Sequence, residues 1–63
     1  MSYRQIEKVL LANSWILVRS NGSHRQFKHE ITNKLTVVPY HGSKDLAIGT
    51  LKFIEKQTGL SLR

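Results

Sequence analysis

Residues 21–29, NGSHRQFKH, set an imidazole where a tight turn gives way to an extended run. Side chains along an extended chain alternate between faces, so His24, Gln26 and Lys28 share one side while Arg25, Phe27 and His29 share the other. Phe27 is expected to point into the core, which turns His24 outward beside an amide and an ammonium. Imidazole, with an ordinary pKa of about 6.5, can give or take a proton near neutrality. Lys28, Arg25 or Arg19 can hold a phosphate and offset the charge that builds on it. Gly22 and Ser23 offer backbone N–H donors, and a glycine lets an anion come close to the chain. This combination suits breaking a ribose–phosphate linkage by internal attack. One group takes the 2′-hydroxyl proton, another protonates the leaving 5′-oxygen, and cations stabilise the phosphorane.

Each piece also has a plainer reading. A lone surface histidine is more often inert than catalytic. His29, on the inner face near a strand end, reads as a partly buried structural residue, and His41, before a glycine, as a turn residue. Asn21-Gly22 is first of all a hairpin turn, and Trp15 is first of all core, with base stacking a minority role. The basic residues can be merely a solvated surface. Two other functions therefore stand beside catalysis: a non-catalytic RNA-binding module and a basic protein-interaction domain.

Other chemistries find little support. Glu7, Glu30, Asp45 and Glu55 are scattered without the spacing of a magnesium site. The histidines lack the i,i+4 pairing of a helical zinc site. Ser23 and His24 are neighbours on an extended chain and point apart, so they are no nucleophile–base pair. The expectation is chemistry without metal or cofactor.

The elements that must position His24 follow from the pattern. Ser2 and Gln5 form an S-x-x-Q capping box. Tyr3, Ile6, Val9, Leu10 and Asn13 then share one face of a helix over residues 3–13, closed by a left-handed Asn13. WILVR, 15–19, reads as a strand whose buried face is undecided, since both alternating pairs are apolar. SNGS, 20–23, is the hairpin turn. HRQFKH is the second strand, residues 30–34 a polar turn, and LTVVP, 35–39, a third strand stopped by Pro39. A closing helix spans about 47–58, with Ala47, Leu51, Ile54 and Thr58 inward and Ile48 and Phe53 flanking. Gly59 stands at its left-handed C′ position and Leu60 folds back. The sum is an α+β fold, α-β-β-β-α: a three-stranded antiparallel sheet with two helices on one face and the other face open.

The chain has 63 residues, enough for one domain over 1–63 and near the lower limit for a self-sufficient core. It has no cysteine, so no disulfide or thiolate zinc site can staple it. No apolar stretch approaches the roughly 20 residues of a membrane span, and no secretory leader is legible. A soluble protein of the cytoplasm, with no membrane partner, is expected. Ten Lys and Arg against four Asp and Glu give a net charge of +6, which favours phosphate polymers or acidic protein surfaces.

Taken together, W-x-x-V-R at 15–19, G-S-H-x-x-F-x-H at 22–29, L-T-V-V-P at 35–39 and G-T-L-x-x-I-x-x-Q-x-G-L at 49–60 resemble the HicA-type (YcfA-like) toxins along essentially the whole chain. The resemblance implies a fold like the double-stranded-RNA-binding domain and mRNA interferase activity with one catalytic histidine, His24 in the G-S-H motif. It also implies a cognate HicB-like antitoxin that covers the active surface. Operator DNA is reached only indirectly, through that antitoxin. Two positions depart from the family's pattern: Arg25, where many relatives carry a second histidine, and Leu46-Ala47-Ile48, where many carry a proline before the last helix. The RNA contacts expected around His24 are Gly22, Ser23, Arg25 and Lys28.

Overall fold

Helix α1 (Tyr3–Ala12) starts where Ser2 and Gln5 cap each other. The Gln5 N–H donates to Ser2 Oγ at 3.4 Å, and the Ser2 N–H donates to Gln5 Oε1 at 2.9 Å. Two otherwise unpaired donors of the first turn are thus satisfied. The helix stops at Ala12, one residue short of the expected 3–13, and its left-handed residue comes one position later than Asn13. Asn13 keeps φ −116° and returns its side-chain N–H to the Val9 carbonyl at 2.7 Å, while Ser14 takes the positive φ of 69°.

The computed structural model describes residues 1–62, and its remaining elements are β1 (Trp15–Asn21), β2 (His24–His29), β3 (Leu35–Pro39) and α2 (Ile48–Thr58). The strands form one antiparallel sheet in the order β1-β2-β3. The first turn is displaced by one residue from its expected place. Asn21 pairs with His24 as the last rung of the ladder, and only Gly22 and Ser23 lie outside it. Gly22 has φ +61° and Ser23 does not, the arrangement of a two-residue turn with glycine at its first central position. This lengthens β1 beyond the WILVR run.

Register settles which face of each strand is buried. Trp15 stands opposite His29, and Leu17 and Thr36 flank Phe27. These residues, with Val38, look toward the helices. Phe27 is wholly enclosed and Trp15 is 3% exposed, as a core role requires. Tyr3, Ile6 and Leu10 of α1 and Leu51 and Ile54 of α2 complete the core, joined by Leu46 and Leu62. Within α2 the expected stripe is half realised: Leu51 and Ile54 are buried, but Ala47 is the extended, exposed residue before the helix and makes no side-chain cap. Gly59 closes that helix at φ 75°, its N–H donating to the Glu55 carbonyl at 2.7 Å, and Leu60 packs back on the core. Both helices lie on one face and the other face is open, the α+β arrangement of the double-stranded-RNA-binding-domain fold.

Candidate active site

The open face is paved by the residues that alternate with the core set. Across the three strands its rungs read Ile16–Lys28–Leu35, Arg19–Gln26–Val37 and Asn21–His24–Pro39. Cross-strand partners project to the same side. The last two rungs enclose a shallow hollow of about 310 Å³ lined by Arg19, Asn21, His24, Gln26 and Val37. His24 is exposed, and among the described residues no group hydrogen-bonds to its ring. Both imidazole nitrogens are therefore open to a ligand.

The turn that presents His24 is fixed at its base. The Tyr40 N–H donates to the Ser23 carbonyl at 2.6 Å, tying the end of β3 to the start of β2. Gly22 and Ser23 are both exposed, and no atom lies within 4 Å of where a Gly22 side chain would begin, so an anion can approach that backbone freely. Lys28 shares the face of His24 but stands two rungs further down β2. Four extended residues span roughly 13 Å, so Lys28 meets a different phosphate of a bound strand from the one beside His24.

Arg25 is not brought to this group, because alternation turns it to the helix side. Its guanidinium lies 4.6 Å from the centre of the Tyr40 ring and 5.7 Å from that of Tyr3. Its Nε is buried and meets no acceptor among the described residues, so the ring faces are its neighbours instead. A larger cleft, about 540 Å³, opens there between Arg25, Tyr40, Arg4 and Ser43. It holds no imidazole. Tyr3 closes its floor and donates its hydroxyl proton to Glu7 Oε2 at 3.0 Å. Burial first, and then the Glu7 carboxylate, push the Tyr3 phenol up to about 12.

The other two histidines have different surroundings. His29 Nδ1 accepts the N–H groups of Ile31 and Thr32, each at 3.2 Å, and its ring meets Trp15 edge-on at 5.1 Å. It is committed to holding the second turn. His41 is exposed in the loop after β3, where its carbonyl accepts the Lys44 N–H at 3.3 Å. Among the described residues no three of His, Asp or Glu converge on a point where they could hold a metal ion.

Arg19 is the member of the hollow that sequence reasoning named only as one phosphate ligand among three. Strict alternation from Trp15 assigns it to the buried face. A register shift between Leu17 and Arg19 moves it to the open one. No local signal marks that shift, because Leu17 and Val18 are both aliphatic.

A small domain of this topology, with an imidazole and a guanidinium on an open basic face, is of the kind that handles nucleic acid. Residues 3–60 match the family described as the HicA toxin of bacterial toxin–antitoxin systems. The chain is also 38% identical over 60 residues to a Pseudomonas fluorescens (strain Pf0-1) protein named "Probable mRNA interferase HicA", a match covering 95% of this chain and 97% of that one. The chain belongs to the HicA toxin family.

Proposed function

We propose that this chain is the toxin of a toxin–antitoxin pair and cleaves mRNA in the cytoplasm as an endoribonuclease, with His24 moving a proton at the bond that breaks. The observation that carries the reading is the His24 ring itself. It is exposed on the open face, without a hydrogen-bond partner among the described residues, and lines a hollow with a guanidinium and two amides. Family membership and the name of the Pseudomonas relative supply the class of reaction. In the step, the ribose 2′-oxygen loses its proton to a base and bonds to phosphorus. The P–O5′ bond then breaks as the 5′-oxygen takes up a proton. His24 serves one of these two transfers, and the residues of the hollow need no metal for it.

The neighbouring groups supply binding. Backbone N–H groups at Gly22 and Ser23 and the Lys28 ammonium hold phosphates along the strand. Any RNA contact made by Arg25 lies on the helix side, away from the bond broken. The antitoxin, a HicB-like protein, covers the open face and so masks His24; contact with operator DNA belongs to that partner. Exposed Ile16 and Leu35 beside Arg19 and Lys28 suit a partner surface that is apolar with acidic groups.

The test uses a short RNA and the same RNA with a single 2′-deoxynucleotide at the cleaved position, both in buffer containing EDTA. The first is expected to yield 2′,3′-cyclic phosphate and 5′-hydroxyl ends, and the second to resist. Cleavage of the deoxy substrate, or loss of all activity in EDTA, would contradict the reading.

A further inference from the structure

β1 and β2 begin in step. Trp15 faces His29, Ile16 faces Lys28 and Leu17 faces Phe27. Continued in step, Val18 would face Gln26 on the open side, and Arg19 would face Arg25 on the helix side. The register then slips by one: Arg19 faces Gln26, Ser20 faces Arg25 and Asn21 faces His24, with Val18 as the extra residue. This bulge does two things at once. It keeps two guanidinium groups from standing directly opposite each other at the rim of the core, where like charges destabilise the pair. It also exchanges an aliphatic side chain for a guanidinium on the open face, on the rung next to His24.

We propose that Arg19 is a catalytic residue of the proposed cleavage, donating hydrogen bonds to the non-bridging oxygens of the scissile phosphate and stabilising the phosphorane. The inference rests on the reading of His24 as the proton-transfer group and assigns the charge stabilisation that His24 alone does not provide. Arg19 lies diagonally across the strand pair from His24, a relation that separates the residues by about 7–8 Å and their Cβ atoms by somewhat less. That gap admits one phosphate. A guanidinium fork about 2.8 Å from two non-bridging oxygens leaves the 2′- and 5′-oxygens facing the imidazole. Both side chains line the same hollow, and Lys28 does not. As the phosphorus gains its fifth oxygen, negative charge grows on the oxygens that Arg19 holds, so the contact strengthens in the transition state. Gln26 and Asn21 stand between and beside the two, and among the described residues no carboxylate lines the hollow to neutralise the guanidinium.

The test compares the parent, Arg19→Lys, Arg19→Gln and His24→Ala on one RNA under single-turnover and steady-state conditions, with circular dichroism to confirm folding. Arg19 is exposed, so its substitution leaves the fold intact. Arg19→Gln is expected to lower kcat by about 10²–10³-fold with KM changed only severalfold. Arg19→Lys should recover part of the loss, because it keeps the charge but not the fork. A normal kcat in Arg19→Gln, or a raised KM alone, overturns the assignment. The controls separate that failure from the failure of the underlying reading: a parent that does not cleave, or a His24→Ala variant as active as the parent, refutes the role of His24 itself.

Discussion

His24 and His29 stand at the two ends of the same strand and on opposite faces of the same sheet. His29 looks toward the helices, meets Trp15 edge-on and accepts two backbone N–H groups. His24 looks out, with its ring unengaged by the described residues. One imidazole is occupied by structure and the other is free for chemistry. The difference comes from Phe27, whose burial between them fixes the parity of β2. Under the proposed reading this extends to the whole sheet: ionisable groups on the covered face serve stability, and those on the open face serve the cleavage proposed for His24.

The comparison can be broken at its root by Phe27→Ala. Removing a wholly enclosed aromatic is expected to cost about 3–5 kcal/mol. In a domain this small that is comparable to the whole stability, so both faces should be lost together. Chemical denaturation of the variant checks this, and a Phe27→Ala protein as stable as the parent would contradict the parity argument.

Tyr3 sharpens the covered side of the comparison. With its phenol pushed up to about 12 by burial, the folded chain keeps a proton that the unfolded chain loses near 10. The associated stability is present in full below pH 10 and is lost as the pH rises from 10 to 12. The loss is smaller than the roughly 2–3 kcal/mol that two pH units carry in full, because the hydroxyl lines an open cleft where water screens it. Tyr3→Phe should flatten that alkaline limb, and an unchanged limb would show that Tyr3 does not cause it.

A smaller effect is expected for His29→Ala. It removes an acceptor for two N–H groups that water can partly replace, and an aromatic contact, together worth about 1–2 kcal/mol. RNA cleavage measured below the new melting temperature should stay near the parental rate. If His29→Ala lowers cleavage as far as His24→Ala does, the division between the two faces fails.

Much of this was legible in the sequence, and the reasons for the exceptions are physical. The capping box at Ser2 and Gln5, the glycine at 59 and the outward turn of His24 depend on local chemistry and on one large apolar residue, and each emerged as read. The buried side of β1 did not, because Trp15, Ile16, Leu17 and Val18 are all apolar and carry no period. The bulge at Val18, and with it the place of Arg19, is decided by pairing with β2 rather than by any neighbour in sequence. The turn moved by one residue because Gly22 alone takes the positive φ, which returns Asn21 to the ladder opposite His24. The role of His29 Nδ1 likewise depends on a turn whose backbone course the residue types leave open.

The most direct measurement is the cleavage rate of purified His24→Ala on a single RNA, read beside its melting curve. The account expects stability within about 0.5 kcal/mol of the parent, as for an exposed side chain with no partner. It expects the rate to fall by at least about 10²–10⁴-fold. A variant that melts with the parent and cleaves at the parental rate would contradict the claim that this imidazole moves the proton.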